Sequence, residues 1–334
     1  MPIASLYTND LILLLAAPYQ IGKEKASLVT LVRNRELQSA LKSIRILKDR
    51  FNNRYRYPWT FLNDEPFTEE FINYTSGMAS VKVQYGLIDK AQWKMADSIR
   101  AIEQQKIIYG GSLSYRHMCR YNSGYFYRHE LLSNYDWYFS DPFEYIRQNN
   151  KVYGFVMSMY EFASTIETLW GSTKSFIHNN PQCLAGNNSL DSFVNGAEPS
   201  KGIDTEIFGE YNLCHFWTNF EIANLNFWRS KAYTDNFTYL DSLGLTTVWR
   251  WGDAPIHSLA AGLFLFKDQN HHFSDVGYRH SPYTRCPQDE QSRMSRRCFC
   301  PREKHFDDNG YSCLPRWWKV AGQSYGAGPG LKSS

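Results

Sequence analysis

Between residues 26 and 87 the chain alternates short apolar runs with amphipathic stretches, and this alternation restricts the fold more than any other feature. Residues 26–34, ASLVTLVRN, form a β-branched apolar run that predicts a buried strand. Residues 35–51 then place Leu37, Leu41, Ile44, Leu47 and Phe51 on one helical face. Pro58 breaks the chain, and Trp59 to Leu62 predicts a second strand running into Asn63 and Asp64. Residues 67–79 predict another helix and residues 81–87 a third strand. Strand, helix, strand, helix, strand folds into a parallel sheet flanked by helices, and such sheets bind ligands at the carboxyl ends of their strands. Neither a G-x-G-x-x-G nor a Walker A string is present, which removes the dinucleotide fingerprint and the phosphate-binding loop.

The 334 residues suit a single α/β domain with elaborations. A hydrophobic share of 43% and a charged share of 21% exclude global disorder. The net charge of +3, with both signs interspersed, gives no broad basic field and argues against nucleic acid as a partner. Aromatic residues reach 16%, and such rings offer flat apolar faces to sugar C–H groups. Of seven cysteines, four crowd the C-terminal region as Cys286, Cys298, Cys300 and Cys313. Their spacing is irregular for zinc and suits disulfides in an oxidising lumen, the odd count leaving at least one thiol over. Three sequons, at Asn73, Asn187 and Asn236, agree with a secretory compartment. Residues 11–17, LILLLAA, are too short to span a bilayer and have no basic residue before them, so no membrane anchor is legible.

Further along, within residues 107–128, Ser112 and Ser114 can cap a helix carrying Tyr115, Met118, Cys119 and Tyr125, with Arg116, His117 and Arg120 between them. Residues 135–139 and 151–160 predict strands, residues 162–178 a helix, and residues 180–209 a polar surface insertion. The stretch 211–223, YNLCHFWTNFEIA, holds one acid, Glu221, inside an aromatic run. An acid there is costly to bury unless something pairs with it or uses it. The plainer expectation is a helix start capped by Thr218 or Asn219. Residues 224–243 and 255–264 predict helices, the second capped by Asp253, and residues 278–283 place His280 in a turn before Pro282.

The strings LVTLVRN, FLNDEPF, IIYGGSLSYRHMCRYNSGYF, CHFWTNFEI, RWGDAPIHSLAAGLFL and CFCPREKHFDDNGYSC, in this order from about residue 25 to 320, carry a resemblance. The chain resembles the fungal α-1,2-mannosyltransferases of the Kre2/Mnt1 type, glycosyltransferase family 15. The resemblance implies a type II Golgi membrane protein with a GT-A-like α/β catalytic domain over residues 25–320. Residues 1–24 would then be a remnant without a clear anchor, and residues 321–334 a flexible tail. It also implies a retaining transfer of mannose from GDP-mannose, with a divalent cation such as manganese, to mannosyl acceptors on O- and N-linked glycans. Residue by residue, it implies that Glu221 is the acid beside the reacting sugar, Tyr115 an active-site tyrosine and His280 a metal ligand. Arg33, Tyr109 and Asp253 fall where donor-binding positions are expected.

The sequence departs from the family chiefly after Phe139, with a smaller departure at Gly111, where some relatives carry Asp. In the family, the strand matching YDWYF runs on into an R-V-E-P segment whose Glu is the acidic metal ligand, followed by a C-D segment. Here Phe139 leads at once to Ser140, Asp141, Pro142 and Phe143, so both segments are missing. One hard oxygen ligand is thereby lost, and a lone imidazole is a poor site for manganese. A catalytically impaired homologue that binds glycan or a partner is therefore the alternative, with a secreted sugar-binding module a more distant third.

Overall fold

The three apolar runs of the N-terminal segment pair in parallel, as their alternation with helices predicts. In the computed structural model Leu28 lies opposite Trp59, and Trp59 opposite Val83. Described are residues 3–5, 24–93, 113–138, 142–196, 209–244, 251–295, 298, 300, 301 and 305–322. Seven strands form the central sheet in the order Asn270–His272, Tyr153–Phe155, Glu221–Asn224, Trp137–Tyr138, Ala26–Leu31, Trp59–Asn63 and Val83–Leu87. Only Glu221–Asn224 runs against its neighbours, so the described sheet is mostly parallel.

Successive strand residues face opposite sides, and the sheet therefore divides the core in two. Phe61 packs with Leu28, Ile44 and Phe71 on one face, while Leu62 joins Tyr121, Tyr153, Phe155 and Trp228 on the other. Helix Leu37–Leu47 buries Leu37, Ala40, Ile44 and Leu47, and a wider turn, Lys48–Asn52, carries the same face on to Phe51. Leu41, expected on this face, is only partly buried. Helix Glu69–Ala79 starts where the Thr68 side chain accepts a hydrogen bond from the Phe71 backbone N–H.

Several segments differ from their sequence-based expectations. Residues 211–223 do not begin a helix. Cys214–Phe216 pairs with Ser158–Tyr160, the chain turns through Thr218 and Asn219, and Glu221 opens a central strand. Ready cross-strand partners outweigh a local capping signal in this aromatic-rich run. Residues 162–178 give only a 3₁₀ turn, Ala163–Thr165, before helix Leu169–Asn179. The described part of the expected surface insertion instead buries Leu190, Phe193 and Val194, three apolar anchors hidden in a polar composition. Asn236 is buried within helix Lys231–Ser242, so that sequon is closed to modification in the folded chain, whereas Asn73 and Asn187 are exposed.

Disulfides join Cys214 to Cys313 and Cys286 to Cys300, and Cys119 and Cys183 are free thiols. The first bond spans 99 residues, and closing a loop of that size stabilises the fold by about 4–5 kcal/mol through chain entropy alone. Arg285, buried among the C-terminal loops, donates to Asp307 at 3.1 Å and to the carbonyls of Phe273, Ser274 and Val276. Among the described residues no helix is long and apolar enough to cross a membrane.

Candidate active site

A cleft of about 830 Å³ opens where the parallel strands end. Arg33 follows strand Ala26–Leu31 and Asn63 closes strand Trp59–Asn63, and both line the cleft. Tyr115, Glu221, Asp253 and His280 line it too, so five of the six expected site residues come together. The sixth, Tyr109, and the junction at Phe139 lie outside the described residues.

Glu221 is the centre of the polar floor. It is only 7% exposed, and Tyr153 donates its hydroxyl to Oε2 at 2.8 Å. His257 Nδ1 lies 3.0 Å from Oε1 and 3.2 Å from Oε2. The other ring nitrogen, Nε2, lies 3.1 Å from the Asn122 carbonyl, and Trp228 stacks on the imidazole at 4.3 Å. A carbonyl only accepts, so Nε2 carries a proton, and the charged imidazolium lets Nδ1 donate to the carboxylate as well. Burial works against that charge, but Glu221, Asp253 and the Asn122 carbonyl outweigh it and raise the pKa of His257.

Asp253 sits in the first turn of helix Asp253–Phe264, four residues before His257, so both face the same way. Thr218 donates its hydroxyl to Asp253 Oδ2 at 3.0 Å. Burial raises the Asp253 pKa, and Glu221 adds to the rise while His257 and Thr218 oppose it. Tyr115, on helix Leu113–Gly124, is 40% exposed to the cleft. Its neighbour Cys119, burial, and the carboxylates of Asp253 and Glu161 all push its pKa up, so the phenol remains a neutral donor.

His280 ends strand Gly277–His280, its Nδ1 3.1 Å from the Ser281 carbonyl and its ring 4.8 Å from Trp217. Burial lowers its pKa, which keeps the imidazole neutral and able to ligate a metal. Among the described residues, however, no group of three His, Cys, Asp or Glu could hold a metal ion. Arg33 is the only lysine or arginine lining the cleft among the described residues. Its backbone N–H donates to Glu36 Oε2 at 2.9 Å at the start of turn Asn34–Glu36.

Sequence reasoning missed His257, Tyr153, His215 and Glu161. The signal for His257 was present: an acid and an imidazole four apart, D-A-P-I-H, at the head of an apolar helix. His215 is buried in the cleft wall, its Nδ1 without a partner among the described residues.

Residues 12–322 match the family described as Glycolipid 2-alpha-mannosyltransferase. The chain belongs to this mannosyltransferase family. It is 49% identical over 328 residues to "Glycolipid 2-alpha-mannosyltransferase 2" of Candida albicans, covering 91% of this chain and 69% of that protein. Two solved mannosyltransferases share its fold, each with a TM-score of 0.80. One is core-mannan synthase A of Aspergillus fumigatus in a Mn/GDP form, 34% identical over 91% of this chain and 87% of that one. The other is the Saccharomyces cerevisiae mannosyltransferase Ktr4p in complex with GDP, 35% identical over 90% and 82%. This mannosyltransferase is accordingly a glycosyltransferase with a GT-A-like α/β domain, and its cleft lies where such sheets carry their chemistry.

Proposed function

We propose that this chain transfers mannose from GDP-mannose to mannosyl acceptors on O- or N-linked glycans, forming an α-1,2 linkage with retained configuration. The observation that carries this reading is Glu221, a buried carboxylate fixed by Tyr153 and by an imidazole pinned at both nitrogens, in one cleft with Arg33 and Tyr115. A carboxylate held in this way stabilises or attacks an oxocarbenium-like sugar carbon. Arg33 offsets the charge growing on the departing diphosphate, and the neutral Tyr115 phenol donates a hydrogen bond beside the reacting centre. Asp253, fixed by Thr218, accepts donor-sugar hydroxyls. Tyr109 keeps its expected donor-binding role in this reading.

Manganese is the cofactor of this reading, in line with the Mn/GDP form of the Aspergillus fumigatus relative. The described residues offer His280 to it and no acidic cluster, so they fit only part of its ligand shell, and no catalytic step is routed through the ion. The catalytic domain would occupy residues 25–320, and two disulfides fit an oxidising Golgi lumen.

The deciding assay is transfer of labelled mannose from GDP-mannose to α-methyl-mannoside, with manganese titrated. Transfer by the chain as it stands, lowered about 10²–10⁴-fold in Glu221→Gln, supports the reading. Equal rates in both proteins would remove Glu221 from the chemistry.

A further inference from the structure

Folding gathers bases that the sequence scatters. Lys25 precedes strand Ala26–Leu31, Arg56 comes three residues before strand Trp59–Asn63, and Lys82 precedes strand Val83–Leu87. These strands are parallel neighbours about 4.8 Å apart, so their starts lie along one edge of the sheet. The Leu28 N–H donates to the Pro58 carbonyl at 2.9 Å and the Trp59 N–H to the Lys82 carbonyl at 3.0 Å, which keeps those starts level. Lys48, just past helix Leu37–Leu47, donates to Ser80 Oγ at 2.6 Å, and Arg56 donates to the Ser80 carbonyl at 3.0 Å. Both side chains therefore end two residues from Lys82. Arg45 lies about one helical turn before Lys48, and Arg54 two residues before Arg56.

Residues 45–56 carry five bases and one acid, Asp49, a net +4 against +3 for the whole chain, so the rest of the chain sums to −1. Lys25, Arg45, Arg54, Arg56 and Lys82 are exposed. Among the described residues Lys25, Arg45, Arg54 and Lys82 form no ion pair, and Glu24, beside Lys25, is already paired with Arg147. Asp136, before the next strand Trp137–Tyr138, bounds the row on its other side. None of the six bases lines the cleft. Eight residues of mostly extended chain, at about 3.3 Å each, separate Lys25 from Arg33, so the cluster sits about 25 Å from the catalytic end of the sheet. Exposed bases spread along an edge suit a flat, diffuse anionic surface rather than a small enclosed anion. The Arg54 guanidinium lies 5.3 Å over the Tyr55 ring, a base beside an amphipathic ring of the kind that suits a lipid headgroup layer. Residues 11–17, LILLLAA, end eight residues before Lys25 and so within about 25–30 Å of it along the chain. An apolar run too short to span a bilayer still gains by burial at its surface, which favours lipid over an acidic protein.

We propose that this edge of the sheet is a docking surface for an anionic membrane, with lipid headgroups as the ligands of the six bases. The contact is peripheral and electrostatic and is made by the folded domain itself. Because the bases stand at the starts of the strands and the cleft at their ends, docking there leaves the cleft turned towards solution. The docking surface does not depend on the donor chemistry of the cleft.

Co-sedimentation of the whole chain with vesicles tests it, comparing phosphatidylcholine alone with phosphatidylcholine holding about one-third phosphatidylserine. Partition onto the anionic vesicles is expected to be at least about tenfold stronger, and to fall as salt rises from about 50 to 300 mM. Each base near such a surface is worth about fivefold in partition, so Lys25→Gln, Arg54→Gln and Lys82→Gln combined should lower it about 10- to 100-fold. All three positions are exposed and far from the cleft, so the melting temperature and transfer to α-methyl-mannoside should stay unchanged. Lys25→Arg combined with Lys82→Arg should bind as the parent does, which separates charge from folding. Equal partition onto the two vesicles, binding indifferent to salt, or a triple variant that binds like the parent overturns the docking surface. Binding to soluble polyglutamate without binding to anionic vesicles also overturns it, in favour of an acidic protein partner.

Discussion

His257 touches Glu221 through Nδ1 at 3.0 Å while its Nε2 meets the Asn122 carbonyl at 3.1 Å, so the imidazole is held at both ends between a strand acid and a helix backbone. Nothing that only accepts hydrogen bonds can replace it. His257→Gln keeps donors but loses the charge, and kcat should fall about 10–100-fold with little change in acceptor KM, since a positioned charge acts in the transition state. An acceptor KM that rises with kcat unchanged would argue that His257 serves binding alone.

Opposite titrations make the stability of the fold depend on pH. The folded pKa of His257 is raised, so its contribution is complete below about pH 6.5 and is lost as pH climbs through the folded value. His271, pushed down to about 4, and His272, pushed well down, are both held neutral by burial. Their contribution is complete above about pH 6.5 and is lost as pH falls, His271 alone accounting for up to ~3 kcal/mol by pH 4. Denaturant melts from pH 8 to 4 should show acid destabilisation that His271→Phe reduces. A melt equally acid-sensitive in that variant would contradict the assignment.

Arg285 ties one carboxylate and three carbonyls together in a dry region. Arg285→Ala leaves Asp307 buried and uncompensated, and should cost about 3–5 kcal/mol. Chemical denaturation reads this directly, and a loss under 1 kcal/mol would mean that water reaches the site.

Trp217 lies 4.8 Å from His280, which makes it a reporter for a paramagnetic ion there. Adding manganese should quench its fluorescence at high concentration, as a part-formed ligand shell requires, and His280→Ala should remove the effect. Quenching of the same depth and midpoint in both proteins would exclude His280 as a ligand.

Gly124 ends helix Leu113–Gly124 against the Phe237 ring, where an added Cβ would meet Cζ at 1.9 Å. Gly124→Ala therefore forces the helix carrying Tyr115 and Asn122 off its neighbour. A loss of about 1–3 kcal/mol is expected, with lowered activity, because overpacking displaces backbone. Unchanged thermal melting would show that Phe237 yields.

The parallel sheet was legible because its signals are local: apolar runs of strand length, amphipathic spacing and Pro58 all lie within residues 26–87. Glu221 was legible as an odd acid in an aromatic run, but its strand was not. Thr218 and Asn219 are good caps, and only pairing with distant Phe155 and Tyr138 neighbours decides the conformation. His257 looked like one more residue of an apolar helix. Asp253 four residues before it hints at a polar role, but the contacts that fix that role, with Asn122 and Glu221, lie 135 and 36 positions away. The family match supplied Arg33 and His280, whose own surroundings in the sequence are unremarkable.

The Cys214–Cys313 bond also bears on how the enzyme survives a break in its backbone. Glu221, Asp253, His257 and His280 all lie on the covalent ring that this bond closes. A single cut anywhere on the ring leaves two pieces that the disulfide still joins, with these four residues in one covalent molecule. A nicked enzyme should run as one band until reductant is added, and keep its activity until then.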